Sequence, residues 1–249
     1  MKKILCGLLA CALFMTALAG CSKSAPSDTV KWFNATYAIL TTANEADVNE
    51  IGGYKKNSVN EVLVQAVLED SWGVTDRATA DETLDWILTD GHRITFQDDM
   101  ASLEELGFFE LTDSDAKEVF VEMGFTDDEA ACYVAAMETY RQGGEHAIDA
   151  WDYCRALQLL SWYYLAGYYT ESEAMDKSLE IAKELQSLYT SWDELAESYL
   201  KGYNYWSEDD PEDPNSATAA RRQVYETLRD GENSPYSLAW NTTLEKTWE

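Results

Sequence analysis

The stretch "AWDYCRALQLLSWYYLAGY", residues 150–168, decides the fold. Its Trp, Tyr and Leu side chains fall on more than one face of a helix, and only Asp152 and Arg155 are charged. A helix that is apolar nearly all round is normally the centre of a helical bundle. Because an unpaired buried charge is costly and residues three apart can meet on one helix face, we interpret these two as an ion pair that fixes the packing. A functional site is the alternative interpretation.

Helix start signals recur on both sides of this stretch. In each, a Ser or Thr precedes a Glu by three residues and an amphipathic run follows, which is the pattern of a capping box. Together they predict an all-α fold, a compact bundle of about seven to nine helices with little or no sheet. The only strand candidate is "RITF", near residue 95. The four predicted boxes are Thr79 with Glu82, Thr126 with Glu129, Thr170 with Glu173, and Ser191 with Glu194.

An amphipathic helix is also predicted for "VNEVLVQAVLEDSWGV". Its apolar residues, which include Val59, Val62 and Leu63, recur at helical spacing, and Gly73 is placed to cap its C-terminal end.

The first residues carry a targeting signal. Lys2 and Lys3 precede an apolar run of about fifteen residues, and small residues lead to Cys21. This pattern resembles the bacterial lipobox, in which the cysteine is acylated and becomes the new N-terminus. We predict a lipoprotein signal peptide over residues 1–20 and a polar tether over residues 21–30. The chain would then be lipid-anchored at the extracytoplasmic face of the bacterial cell membrane. An ordinary secretory signal is the alternative.

The charge excludes one class of partner. The chain has 18 basic and 46 acidic residues, a formal net charge of −28. Nucleic acid is a poor partner for such a surface, because binding it requires Lys and Arg to neutralise phosphates. We interpret the acidity as a soluble, self-repelling exterior.

No cofactor or metal site is predicted. The two histidines, His92 and His146, do not belong to a zinc-binding motif, and the acidic loop at residues 209–213 lacks the glycine and terminal Glu of an EF-hand. Nucleophile elbows, phosphate-binding loops and dinucleotide fingerprints are absent from the sequence. His92 would either cap a neighbouring helix or carbonyl, or bind an anion or act as a base in a cleft.

Two cysteines remain beyond the predicted lipid attachment site. If the helices flanking Gly143 and Gly144 form an antiparallel hairpin, Cys132 and Cys154 lie at nearly the same height, within about 1.5 Å along the axis. A disulfide could form there outside the cytoplasm, and two buried thiols are the alternative.

The aromatic residues admit two interpretations. Nine Trp and fifteen Tyr would suit a groove for sugars or peptides, since each joins a flat apolar face to a polar edge. Most of them recur at helical spacing, as do Trp192, Leu195, Tyr199 and Trp206, which favours core packing over a ligand groove.

Three strings in order resemble a known family. They are "SWGVTDRATADETLDWILTDGHR", "AWDYCRALQLLSWYYLAGYYTESEA" and "SWDELAESYLKGYNYW". They are similar to the bacterial domain of unknown function 1266 (DUF1266) over residues 31–206, and the acidic loop, further helix and tail of residues 207–249 would pack on the same domain. The family pattern often has Arg where this chain has Tyr203, so the resemblance implies no basic site there. Its motif residues here are Trp72, Gly73, His92, Arg93, Trp151, Asp152, Arg155, Gly167, Tyr168, Trp192, Asp193, Tyr199 and Gly202.

Two functional hypotheses remain. The first is a binding or interaction module for an envelope protein, peptide or glycan, since catalytic signatures are missing from an anchored chain. The second is an unrecognised hydrolase that uses His92, Arg93, Asp152 and Arg155, which must then share a cleft. Trp151, Trp192 and Asp193 complete the candidate cluster for either role.

Overall fold

The structure is a computed structural model, and it describes residues 26–249. The predicted signal peptide and Cys21 lie outside the described residues. The all-α prediction is confirmed, because residues 26–249 contain helices and no β-strand. The described chain forms ten α-helical segments when the first two helices, which only Tyr37 separates, are counted as one, and this is slightly more than expected. The α-helices are α1 (Asp28–Thr36), α2 (Ala38–Ala43), α3 (Ser58–Trp72), α4 (Arg77–Thr89), α5 (His92–Glu105), α6 (Asp113–Glu122), α7 (Asp127–Gly143), α8 (Asp149–Ala166), α9 (Glu171–Leu188), α10 (Trp192–Ser207) and α11 (Ala217–Asp230).

Helix α8 is the centre of the molecule. Every one of its residues except Tyr164 is buried. Helices α9 and α10 pack along α8, and α3 and α4 cover its other faces. Helix α5 contacts α8 near the N-terminal end of α8. The apolar pattern of residues 150–168 therefore predicted both the helix and its position.

Two apolar clusters form the core. The larger surrounds α8, and the smaller joins α5, α6 and α7 around Phe96, Phe120 and Met137. Phe96 follows "RIT" and packs with Met100, one turn later, in the smaller cluster. The segment is therefore helical, and the strand expected near residue 95 is absent from the described chain.

Two of the four predicted capping boxes are confirmed, those opened by Thr126 and Thr170. Helix α4 begins earlier than predicted, because Asp76 forms the box with Thr79. Ser191 caps α10 as predicted, but the Glu194 carboxylate accepts from the Thr190 N–H at 2.7 Å instead of closing the box.

The apolar stripe of α3 does not face the core. Val59 is 76 % exposed, and Val62 and Leu63 are also exposed. Val64 and Leu68, on the opposite side, are the buried residues of this helix. The predicted C-terminal cap is correct, since Gly73 is left-handed and its N–H closes the last turn.

Both ends of the described chain lie against the larger cluster. Helix α1 begins at Asp28, so the last residues of the predicted tether are helical. The Trp32 ring lies 5.2 Å from Trp192 and 5.1 Å from Trp240 of the C-terminal tail. Helix α11 packs on α10 and α2. Residues 207–249 therefore share the core of the preceding helices.

Cys132 and Cys154 are free and buried, so the structure contains no disulfide between them. The assumed hairpin does not form, because α7 packs on α6 and α10 rather than along α8. The Cys132 Sγ donates to the Asn204 carbonyl at 3.4 Å instead. Burial raises the pKa of Cys132 to about 12, which makes this thiol a packing group at neutral pH.

No helix within residues 26–249 has the length and hydropathy needed to cross a membrane.

Candidate functional site

One stripe of α8 forms the floor of a cleft. Trp151, Arg155, Gln158 and Trp162 are spaced by three or four residues, so they lie on one helix face. The cleft above them has a volume of about 660 Å³, which lies within the range of small-molecule sites.

The walls of the cleft are aromatic. Helices α3 and α4 contribute Trp72 and Trp86, and α10 contributes Tyr203 and Trp206. With Trp151 and Trp162, five of the nine tryptophans of the chain line this cleft. Trp206 is 50 % exposed, so the core position expected for it is wrong. Trp192, Leu195 and Tyr199 are buried, as expected.

Asp152 lies behind the floor and organises it. Its carboxylate is 0 % exposed, and Oδ2 accepts from the Arg93 backbone N–H at 2.8 Å. It thereby caps the N-terminal end of α5, whose N-cap residue is Gly91 and has no side chain to do so. A Cβ at Gly91 would lie 2.4 Å from that Oδ2 and 2.6 Å from the Ile87 carbonyl. Glycine is therefore required at residue 91, where the start of α5 approaches both α8 and the end of α4.

Arg93 anchors the same carboxylate from the side away from the cleft. Its Nη1 lies 3.4 Å from Asp152 Oδ2 and donates to the Ile87 carbonyl at 2.7 Å. Its Nη2 donates to the Leu88 carbonyl. These carbonyls belong to the C-terminal end of α4, which favours a cation. Arg93 is thus a buried structural residue that joins α4, α5 and α8.

Arg155 connects this network to the cleft. Its Nη2 donates to Asp152 Oδ1 at 2.5 Å and to His92 Nδ1 at 2.9 Å, and its Nε donates to the Trp151 carbonyl at 3.1 Å. The guanidinium lies 4.0 Å above the Trp151 ring. Its third nitrogen, Nη1, has no hydrogen-bond partner within residues 26–249 and is not sealed from solvent. Arg155 is 6 % exposed, so this nitrogen is an open donor at the base of the cleft.

His92 presents a second donor. A guanidinium can only donate, so Nδ1 accepts from Arg155 and the ring carries a proton on Nε2. The distance from Nδ1 to Asp152 Oδ1 is 3.8 Å, too long for a direct hydrogen bond. The imidazole packs edge-on against Trp86, with 5.4 Å between ring centroids, at the rim of the cleft.

The ion pair keeps its charges despite its burial. Burial alone would raise the pKa of Asp152, but the charge of Arg155 and the hydrogen bonds from the Arg93 N–H and from Arg155 together hold this pKa below its ordinary value. Burial lowers the pKa of Arg155, and the charge of Asp152 opposes that effect. Asp152 is therefore an anion at neutral pH, and Arg155 remains a cation.

Gln158 is a buried polar side chain without a partner. It is 2 % exposed and lines the cleft, yet none of residues 26–249 forms a hydrogen bond with its amide. Neither the oxygen nor the nitrogen of this amide is completely shielded from solvent. The little surface that Gln158 retains therefore belongs to its amide, which faces the cleft.

A further cation reaches the cleft from α11. The Arg221 guanidinium lies 3.8 Å above the Tyr203 ring, and none of the described carboxylates pairs with it. The family resemblance implied no basic site at residue 203. In the structure, Arg221 of α11 places a basic group beside Tyr203.

The predicted cluster divides in two. His92, Arg93, Trp151, Asp152 and Arg155 converge at the base of the cleft, as the hypothesis of a shared site required. Trp192 and Asp193 do not join them, because they lie at the opposite end of α10, roughly 16 Å from Tyr203 along the helix axis. There the Trp192 Nε1 donates to the Leu238 carbonyl at 2.7 Å, and Asp193 accepts from the Tyr225 hydroxyl.

Several lining residues were not among the predicted site residues, namely Trp86, Gln158, Trp162, Trp206 and Arg221, and Trp72 was named only as a motif residue of the family. For Gln158 and Trp162 a signal existed, since both repeat the helical spacing from Trp151 and Arg155. For Arg221 there was no local signal, because only the packing of α11 brings it to the cleft.

None of the described residues form a group of three or more His, Cys, Asp and Glu side chains suited to holding a metal ion.

Comparison with known proteins gives one match. The sequence model of DUF1266, described as a protein of unknown function, matches residues 67–240. This range begins within α3 and extends through α11 into the tail, whereas the resemblance in the sequence was placed over residues 31–206. No curated protein and no solved structure matches the chain.

Proposed function

Because this chain belongs to the DUF1266 family, whose description assigns no function, we propose from its geometry that it is a binding module whose cleft holds a small ligand. The observation that carries the proposal is the Gln158 amide, which is almost completely buried and has no partner among the described residues. A buried polar group without a hydrogen bond costs free energy, so this amide is available to a polar atom of a molecule that enters the cleft.

The shape and walls of the cleft support the same proposal. Small-molecule sites are concave and mostly apolar, with a few converging polar groups that fix the orientation of the ligand. Here the tryptophans supply the apolar walls, and the polar groups that line the space include Arg155 Nη1, His92 Nε2, the Gln158 amide, the Arg221 guanidinium and the Glu82 carboxylate.

The hydrolase alternative is less well supported. His92 and Asp152 do meet at one cleft, which that alternative required. However, Asp152 has no exposed surface, and its two oxygens already accept from Arg93 and Arg155. Since His92 Nδ1 is also occupied, the pair cannot pass a proton to a bound substrate, and the same contacts suit a rigid base for a binding site.

We further propose that the chain is attached by a lipid on Cys21 to the extracytoplasmic face of a bacterial membrane. The support is the sequence of residues 1–21 alone. Metabolic labelling with palmitate tests this proposal. Label is expected in the chain and not in a Cys21→Ser variant, and an unlabelled parent chain would contradict it.

Retention of small molecules tests the binding role. The purified chain is incubated with the small-molecule fraction of an envelope extract, washed, denatured and analysed by mass spectrometry. The parent chain and a Met123→Ala control, altered at an exposed residue outside the cleft, should retain the same compounds. Trp206→Ala should lose them. Equal retention by all three proteins, or no retention by any, would contradict the proposal.

A further inference from the structure

Among the described residues, two guanidinium groups, those of Arg155 and Arg221, line the cleft together with one carboxylate, that of Glu82. Among the arginines of residues 26–249, Arg221 is the one without a carboxylate partner, although the chain has 46 acidic residues. Its neighbour Arg222 is held by Glu197 through two hydrogen bonds, at 2.5 and 3.0 Å. An unpaired guanidinium in this chain therefore reflects its position rather than a shortage of acids.

The floor of the cleft adds to this charge. Within residues 26–249, Asp152 is the single carboxylate that pairs with Arg155, and it is shared with Arg93. One buried anion thus serves two guanidinium groups, and Nη1 of Arg155 remains open. A buried positive charge is costly unless an anion approaches it, so the cleft favours an anionic ligand.

Both guanidinium groups are oriented by aromatic rings. Arg155 lies 4.0 Å above Trp151, and Arg221 lies 3.8 Å above Tyr203. Those two rings are 5.5 Å apart between centroids, so the stacked cations belong to one aromatic cluster. Stacking leaves a guanidinium free to donate in its own plane, where a carboxylate can accept. At Arg155 the free donor is Nη1, and at Arg221 Nε is sealed from solvent, so its Nη groups are the donors left for a ligand.

We propose that the cleft binds a small organic carboxylate joined to a flat apolar group. Arg155 Nη1 and Arg221 bind the carboxylate, Gln158 binds a further polar atom, and the tryptophan walls enclose the apolar body. This inference rests on the proposed function, since it names the chemical class of the ligand for the same cleft.

Titration calorimetry with two matched probes tests the inference. Naphthalene carboxylate has the predicted chemistry, and naphthalene carboxamide has the same shape without the charge. The full chain should bind the carboxylate about tenfold more tightly than the amide, because charge-assisted hydrogen bonds are the stronger ones. Arg221→Gln should remove most of this difference, because it weakens binding of the carboxylate more than binding of the amide.

Neighbouring substitutions provide the controls. Arg222→Gln removes the same charge from the adjacent residue, which does not line the cleft, and should preserve the preference for the carboxylate. Arg221→Lys should restore part of the preference that Arg221→Gln loses. Thermal unfolding of each variant shows whether it is folded.

The outcomes separate the two proposals. Equal affinities for the carboxylate and the amide, or an Arg221→Gln variant that keeps its preference, would overturn the anionic class of ligand while leaving a binding cleft. Absence of binding by both probes would also overturn this inference, and the retention experiment would judge the binding role independently.

Discussion

At the scale of single residues, Asp152 and Gln158 have opposite roles within two turns of one helix. Asp152 is sealed behind the floor of the cleft, and all of its described partners stabilise the junction of α4, α5 and α8. The Gln158 side-chain amide forms no hydrogen bond within the described residues and faces the cleft. One residue therefore maintains the site, and the other is available to a ligand.

Replacement of Asp152 should show its structural role. Asp152→Asn is expected to lower the free energy of unfolding by about 3–5 kcal/mol at neutral pH, because it leaves buried cations without their anion. The pKa of Asp152 is lowered by folding, so its contribution is present above the unfolded pKa and lost as the pH falls. The difference between parent and variant should therefore shrink below about pH 4, as urea unfolding at several pH values would measure.

An exposed ion pair provides the control for that experiment. Asp28 pairs with Lys31 at 2.9 Å on the surface, so Asp28→Asn should change the stability little. Equal effects of the two substitutions would contradict a clamp at Asp152.

Replacement of Gln158 should stabilise the protein. Gln158→Leu removes an unpartnered buried amide and keeps its approximate volume, so the free energy of unfolding should rise by about 1 kcal/mol. In contrast, Gln186→Leu should destabilise, since that amide donates to the Trp240 and Thr242 carbonyls at 2.6 and 3.0 Å. Chemical denaturation measures both. A loss of stability in Gln158→Leu would mean that the amide serves the fold.

At the scale of helices, the cleft depends on how closely α10 approaches α8. A Cβ at Gly202 would lie 2.3 Å from the Cβ of Trp151, so only glycine permits this crossing. The residues that follow, Tyr203 and Trp206, are thereby brought to the wall of the cleft. The glycine connects a packing requirement of the core with the shape of the site.

Substitution of this glycine should destabilise the protein. Alanine is the better helix former by roughly 1 kcal/mol, yet Gly202→Ala should lower the free energy of unfolding by about 1–3 kcal/mol because of the clash with Trp151. Lys177→Ala, at an exposed position of α9, is the control and should have little effect. Thermal unfolding of both variants checks this, and a more stable Gly202→Ala variant would show that the helices are further apart.

The positions of most helices along the chain could be predicted from the sequence, because helix formation depends on local patterns. The Thr126 and Thr170 capping boxes and the apolar surface of α8 involve neighbours along the chain. Exposure depends on distant partners, which local patterns do not reveal. Trp192 and Trp206 lie on one helix, but Trp192 is covered by Trp240 of the tail while Trp206 remains half exposed. For the same reason, the helical spacing of Val59, Val62 and Leu63 predicted the helix α3 but did not reveal that these three side chains are exposed.

At the scale of the whole molecule, the site lies where many elements meet. Its lining extends along the chain from α2 to α11, while Asp152 and Arg93 brace it from behind. The sequence predicted that His92 and Arg93 belong with Trp151, Asp152 and Arg155, since the family motifs single them out. The cleft itself could not be predicted, because it exists only once α3, α4, α10 and α11 have packed around α8.

The tryptophans provide a direct test of whether this cleft is the binding site. Fluorine NMR of the full chain with fluorotryptophan at all nine positions can follow each indole during titration with naphthalene carboxylate. We expect shifts for the five cleft residues, Trp72, Trp86, Trp151, Trp162 and Trp206, and none for Trp32, Trp192, Trp240 and Trp248. Shifts confined to those last four tryptophans would contradict a binding site in this cleft, and an unchanged spectrum at high probe concentration would overturn the proposed class of ligand.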